Sequence, residues 1–155
     1  MHRVGHHITG ALTGLGVGMH LSSQDGAGFS VLGISVLGGW YGGVFPDSVE
    51  KIWGMYWIQH RTLTHWVPLW LAGLVAVLTM SGPLPFGLGP EIFAALLAFV
   101  LGGLTHLLFD WPNPTGIPFI HPWCRHSLNW WRSGEADLLC VLVWGAAMVG
   151  FGTTA

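Results

Sequence analysis

Charge is what this chain lacks. Asp, Glu, Lys and Arg make up 8% of its 155 residues, against about 25% in a typical soluble domain. A water-exposed surface of ordinary size cannot be built from so few charges. Basic residues number five and the net charge is -2, so no face can neutralise a phosphate backbone, which excludes nucleic acid as a partner. Cysteine is nearly absent as well. Cys124 and Cys140 form no CxxC pair, which excludes a disulfide framework and a cysteine zinc site. What is present is apolar: 52% hydrophobic residues and a mean hydropathy of +0.57 describe an integral membrane protein. Nine histidines outnumber all the lysines and arginines. Ionisable groups in a membrane chain point to function by default.

Five apolar runs stand out, over Val4 to Leu21, Phe29 to Phe45, Trp66 to Ser81, Glu91 to Phe109 and Ala136 to Phe151. Several are near the lower limit of the roughly 17 to 25 residues that a span needs. The first follows Arg3 as a signal peptide would. It lacks an A-x-A cleavage site and is interrupted by His6 and His7, so it reads as a retained span. The connections around 22–28 and 82–90 carry Gly, Pro and Ser but no Lys or Arg. The longer ones at 46–65 and 110–135 hold Lys51, Arg61, Arg125 and Arg132. With five spans, these residues and Arg3 all fall on one side, which the positive-inside bias makes cytoplasmic. The expectation is an all-α fold: a single domain over residues 1–155, a polytopic bundle of about five transmembrane helices, with the N-terminus in and the C-terminus out. It belongs in the plasma (inner) membrane with lipids as neighbours. Trp53, Trp57, Trp66, Trp111, Trp123, Trp130 and Trp131 cluster on the cytoplasmic face as an interfacial aromatic belt.

The stretch "GGLTHLLFDWPNP" puts His106 and Asp110 four residues apart, on one face of the fourth span. Gly102 extends that stripe, and small residues on a membrane helix mark its packing side. The pair therefore points into the bundle. Gly10, Gly14 and Gly18 continue a stripe from His6, and Gly39 and Gly43 lead by fours to Asp47, with Pro46 bending the approach. Three packing stripes thus converge on His6, Asp47, His106 and Asp110 at the cytoplasmic end. Completed by His60 or His65 from "HRTLTHW", two imidazoles and two carboxylates suit Zn, Mn or Fe rather than Ca. His60 and His65 would lie about 140° apart on a continuous helix, so both reach one ion only if the chain bends.

Blander readings exist for each residue. Asp47 and Glu50 have capping-box spacing. Glu135 and Asp137 suit the first turn of the last span through the helix dipole. His2, His7 and His126 read as interfacial or loop residues, and His20 lies on the opposite side. An internal hydrogen bond would explain His106 and Asp110 but not the other converging groups.

The ordered set "HHITG", "FPDS", "HRTLTH", "THLLFDWPNPTGIP" and "HPW" resembles the YdjM-like family of membrane-bound metal-dependent hydrolases, over roughly residues 6 to 123. That family is distantly similar to zinc-dependent bacterial phospholipases C. The resemblance implies that His6, Asp47, His65, His106 and Asp110 are metal ligands, with Asp110 bridging two ions and His121 contributing to a second. The phospholipases take a further ion on a His-x-x-x-Glu pair. Here Glu135 is preceded at that spacing by Trp131, a departure that bears on any third position.

The function expected is a metal-dependent hydrolase acting on a phosphoester of a lipid or lipid-linked substrate, most readily with zinc. A divalent ion acidifies water enough to yield a nucleophile at neutral pH. Asp47 or Glu50 would accept the proton, and Arg61, with Arg125 behind it, would stabilise charge on phosphate oxygens. The alternatives are a non-catalytic metal-binding membrane protein, a metal or proton transporter, and a haem cytochrome. Transport would string ionisable groups across the membrane, and haem would need histidines deeper in the bundle.

Overall fold

The structure, a computed structural model, describes residues 1–25, 28–80 and 89–154. In chain order its helices are α1 (Arg3–Asp25), α2 (Phe29–Gly42), the single turn α3 (Phe45–Ser48), α4 (Val67–Thr79), α5 (Pro90–Asp110) and α6 (Asp137–Gly152). The five long helices coincide with the five apolar runs. The expected end of the third run at Ser81 and most of the connection over 82–90 lie outside the described residues. Local chemistry sets several boundaries. α5 opens with Pro90 in its first turn and Glu91 behind it, where proline costs no hydrogen bond and a carboxylate suits the dipole. α2 stops at Gly42, three residues earlier than the apolar run. Pro46 lacks an N–H and disfavours helix just before it, so the chain breaks at Gly43 and Val44 and restarts as α3.

The chain is mostly helical, with one refinement. Two short antiparallel hairpins occupy the same end of the bundle: β1 (Lys51–Ile52) with β2 (Met55–Tyr56), and β3 (Ile117–Pro118) with β4 (Arg125–His126). Trp53 and Gly54 take positive φ angles of 55° and 83°, the pairing that a two-residue hairpin turn requires.

α2 lies between α1 and α5, and the glycine stripes make this possible. A Cβ at Gly10 would strike the Gly39 carbonyl, and one at Gly14 the Ser35 carbonyl. Towards α5, Gly38 meets the Ala95 backbone and Gly42 that of Phe99, and Gly102 of α5 reaches the same Gly39 carbonyl. α6 packs along α1 through Gly16 and Gly152, and α4 lays Trp70 flat on Gly103 of α5. Trp70, Val77, Val100, Leu107 and Ile117 form the main apolar core on that side.

Burial is inverted relative to a water-soluble protein. Among the described residues, thirteen polar or charged side chains are buried against twelve hydrophobic ones. Leu37, Leu69, Leu96, Leu138, Leu142 and Val143 are exposed on the helix flanks. α5 is long and apolar enough to cross a membrane, whereas α2, α4 and α6 are shorter apolar helices. Their 14, 13 and 16 residues cover about 20 to 24 Å at the helical rise, against a hydrocarbon core of about 30 Å.

Candidate metal centre

One end of the bundle gathers the polar groups. It is made by the start of α1, the end of α2, the start of α4 and the end of α5. His6 sits in the second turn of α1, and His106 and Asp110 close α5. The break after α2 lets α3 bring Asp47 to His65 and His106. Asp47 lies inside that turn, whose N-cap is Val44 with no side-chain hydrogen bond, so the capping-box reading does not hold. Arg61 adopts a left-handed φ of 58°. That residue supplies the bend between His60 and His65 that a helix would have denied.

The inner set is His65, His106, Asp47 and Asp110. His106 Nδ1 donates to the Gly43 carbonyl at 2.7 Å. A carbonyl only accepts, so Nδ1 carries the proton and Nε2 offers a lone pair. His65 Nδ1 faces Glu50 Oε1 at 3.1 Å, and Thr64 donates its own hydroxyl proton to that oxygen. The same logic puts a proton on His65 Nδ1 and a lone pair on its Nε2. The two Nε2 atoms face each other at 3.1 Å. Asp47 Oδ1 lies 3.3 Å from His65 Nε2 and 3.8 Å from His106 Nε2. Asp110 Oδ2 lies 3.8 and 3.6 Å from the same two atoms. Asp47 Oδ1 is buried without a hydrogen-bond donor, and Asp110 Oδ2 is buried against the Arg61 guanidinium alone. Lone pairs aimed at lone pairs repel unless a cation lies between them. Four ligands at zinc bond lengths of about 2.0 to 2.2 Å would stand about 3.3 to 3.6 Å apart at the corners of a tetrahedron. The two Nε2 atoms lie 3.1 to 3.8 Å from each other and from the two carboxylate oxygens, around that range. Asp47, His65 and His106 form one donor group, and the donors are the imidazole and carboxylate types that zinc accepts. The residues fit a divalent transition metal.

Outer contacts hold these ligands. Asp110 Oδ1 accepts from Asn113 Nδ2 at 2.9 Å, the Met1 nitrogen at 3.1 Å and His6 Nε2 at 3.2 Å. This turns Oδ2 inward, where the Arg61 guanidinium also reaches it. His6 stacks on His106 with ring centroids 3.8 Å apart. Glu50 is fully buried and receives the Arg61 N–H at 3.0 Å, the Thr64 hydroxyl, His60 Nδ1 and His65 Nδ1. A metal-binding histidine characteristically donates its second N–H to a carboxylate or carbonyl; Glu50 and Gly43 take those places.

Electrostatics follow from the contacts. Burial works to raise the Glu50 pKa, but the hydrogen bonds from His60, His65 and Thr64 outweigh it and hold the carboxyl at about 2. Asp47 is likewise held below the usual carboxylate range, where the His65 hydrogen bond and the His106 and His65 charges overcome burial. For His65, burial works to lower the pKa, yet Asp47 and Glu50 together raise it. Without an ion, a proton is the cation this site draws in.

Three overlapping groups of donors result: His6, His106 and Asp110; Asp47, His65 and His106; and Asp47, Glu50 and His60. The sequence left His60 and His65 as alternatives. The structure puts His65 in the inner set and His60, 42% exposed, in the outer group. Arg61 is buried, bonded to Asp110, Thr115 and the Gly116 carbonyl, on the floor of the site rather than at its mouth. His121 and Glu135 stand apart. His121 is exposed beside Trp123, and Glu135 accepts the Arg132 N–H. Arg125 is an exposed residue of β4. His20 stacks on Phe151 at the far end. Sequence reasoning missed Thr64, Asn113 and the Gly43 carbonyl. Asn113 follows Asp110 by three residues, a helical spacing that signals it; the other two had no such mark.

A family model described as YdjM inner membrane protein matches residues 1–154, and the chain belongs to that family. It is a membrane protein, as the composition implied. No curated protein and no solved structure matches the chain.

Proposed function

We propose that this member of the YdjM inner membrane protein family is a metal-dependent hydrolase of a phosphoester carried by a lipid or lipid-linked substrate. The observation that carries the reading is the opposed pair of imidazole nitrogens, His65 Nε2 and His106 Nε2. Gly43 and Glu50 fix their tautomers, and the pair faces two buried carboxylate oxygens, that of Asp47 donor-free and that of Asp110 held by Arg61. When bound, a divalent ion such as zinc, or manganese or iron, supplies a Lewis acid and water of lowered pKa.

The chain's own residues do the rest. His65, His106, Asp47 and Asp110 would hold the ion. Asp47 is 35% exposed and His65 and His106 are fully buried, so Asp47 meets the mouth and takes the proton of the attacking water. His60, whose Nδ1 is held by Glu50, lines the cleft through which Asp47 opens outward. Glu50, with every approach occupied, positions His65 and His60 rather than acting as the base. Arg61 screens Asp110 and orients it.

The five long helices each cross the membrane in this reading. Arg3, Lys51, Arg61, Arg125 and Arg132 all lie at the end that carries the site, so the positive-inside bias puts that end in the cytoplasm and the C-terminus outside. The short spans fit a locally thinned bilayer.

The test is a panel of phosphomonoesters, phosphodiesters and phospholipids offered to metal-loaded protein. Chelation should abolish turnover, and Zn or Mn should restore it. His106→Ala should lower it by orders of magnitude, while His20→Ala should match wild type. Protein that holds its metal and turns over nothing in the panel would be a metal-binding protein instead.

A further inference from the structure

Beside the inner set lies a cleft of about 410 Å³ lined by Arg3, Asp47, Ser48, Lys51, Tyr56 and His60. Asp47 is common to the cleft and the candidate centre, so the cleft is the way in. Two cations stand at its rim. Lys51 is steered by Tyr56, with its Nζ 4.6 Å from the ring centroid. Among the described residues neither Lys51 nor Arg3 makes an ion pair. Asp137, the acid beside Arg3, is engaged by the His2 N–H at 3.0 Å. Inside, the account is different. A divalent ion, Arg61 and the Met1 ammonium exceed the three carboxylates of Asp47, Glu50 and Asp110 by one charge, which Asp137 offsets. Arg3 and Lys51 are then left as two uncompensated positive charges facing the mouth. The hairpin that contributes Lys51 and Tyr56 also exposes Trp53, 96% accessible, with Met55 and Trp57. Aromatic residues of this kind sit at headgroup depth.

Resting on the hydrolase reading, we propose that Arg3 and Lys51 bind the terminal phosphate dianion of a lipid, which makes the substrate class a lipid phosphomonoester rather than a phosphodiester. A terminal phosphate carries nearly two negative charges at neutral pH, whereas a diester carries one. The rim matches the first. Arg3 approaches from α1 and Lys51 from β1, so the phosphate sits between two elements and next to the face of Asp47 that opens outward. The role assigned from sequence to Arg61 passes to these two residues, because Arg61 is committed to Asp110.

Binding tests this without requiring turnover. Metal-loaded protein in detergent is titrated calorimetrically with dioctanoyl phosphatidic acid, dioctanoyl phosphatidylglycerol and glycerol 3-phosphate. The monoester lipid should bind at least tenfold more tightly than the diester lipid, and more tightly than the soluble phosphate. Arg3→Gln and Lys51→Gln should each weaken phosphatidic acid about tenfold, the scale of one charge-assisted hydrogen bond, and erase the preference over the diester. Lys51→Arg should restore it, with metal content unchanged throughout. Equal affinity for the two lipids, or unchanged affinity in both glutamine variants, overturns the assignment. Glycerol 3-phosphate binding as tightly as phosphatidic acid overturns the lipid part of it. Tight, selective phosphatidic acid binding with no hydrolysis would sink the enzyme and leave this site standing. Hydrolysis of both ester classes without preference would do the reverse.

Discussion

At the scale of single residues, the centre depends on which atom of each side chain is free. Asp110 uses one oxygen on Asn113, His6 and Met1 and turns the other inward. Asp110→Asn keeps that shape and removes the charge that balances a divalent ion, so it should lose metal while circular dichroism reports an intact helical fold. Metal content equal to wild type would sink the coordination scheme. Glu50→Gln should retain the inner ligands but weaken metal affinity roughly 10- to 100-fold, as loss of an outer partner does; an unaltered affinity would mean that Glu50 does not set the His65 tautomer. The pKa shifts give a pH prediction for chelated protein. The raised pKa of His65 means that its stabilising charge is present below its ordinary value of 6.5. That contribution is lost as pH rises through the raised value. The depressed Glu50 contributes above 4.5 and is lost as pH falls towards about 2. Chelated protein should therefore lose stability on going alkaline, while metal-loaded protein, freed of competition from the His65 proton, should not. Melting curves at several pH values, with and without metal, should diverge as pH rises; parallel curves would contradict the site. Of this detail, the His106 and Asp110 pairing was legible because a four-residue spacing fixes a helical face. The choice of His65 over His60 was not, since it rests on the left-handed backbone at Arg61, and the fate of the Arg61 side chain rests on a contact with Asp110 forty-nine residues away.

At the scale of elements, the bundle is set by where glycine lets backbones touch. Gly39 packs against Gly10 and Gly14 of α1 and Gly102 of α5, so Gly39→Leu has no flexible side chain to push aside. It should destabilise by about 1 to 3 kcal/mol or more, with loss of metal, since α1 and α5 carry the ligands. Gly33, on the same helix, meets nothing within 4 Å. Gly33→Ala should be neutral or stabilise by up to about 1 kcal/mol through helix propensity. Similar melting temperatures for the two variants would mean that the close approach is not what holds the helices. These stripes were readable because the four-residue glycine repeat matches the helical period. The hairpins were not readable: β1 to β4 are each two residues long, too short to show an alternating pattern, and long-range packing decides them.

At the scale of the whole molecule, the burial pattern and the family membership agree on a membrane. Polar side chains fill the interior, and leucines face out. The segregation of every Lys and Arg to the site's end predicts an outward C-terminus. A reporter fused there that is active only outside the cytoplasm should be active, and activity of a cytoplasm-only reporter would reverse the orientation. The five long helices were legible in the apolar runs; the single turn α3 was not. The length of α2 was not either, because Gly43 and Val44 end it three residues early.

Metal analysis of the purified wild-type protein beside His65→Ala and His106→Ala, with X-ray absorption at the bound metal's edge, tests the centre most directly. Wild type should bind metal, coordinated by imidazole nitrogen and carboxylate oxygen at about 2.0 to 2.2 Å. Both variants should remain helical and lose it. Wild-type protein that takes up no divalent metal after loading, or variants that keep it with the same coordination, would mean that His65 and His106 form no metal centre.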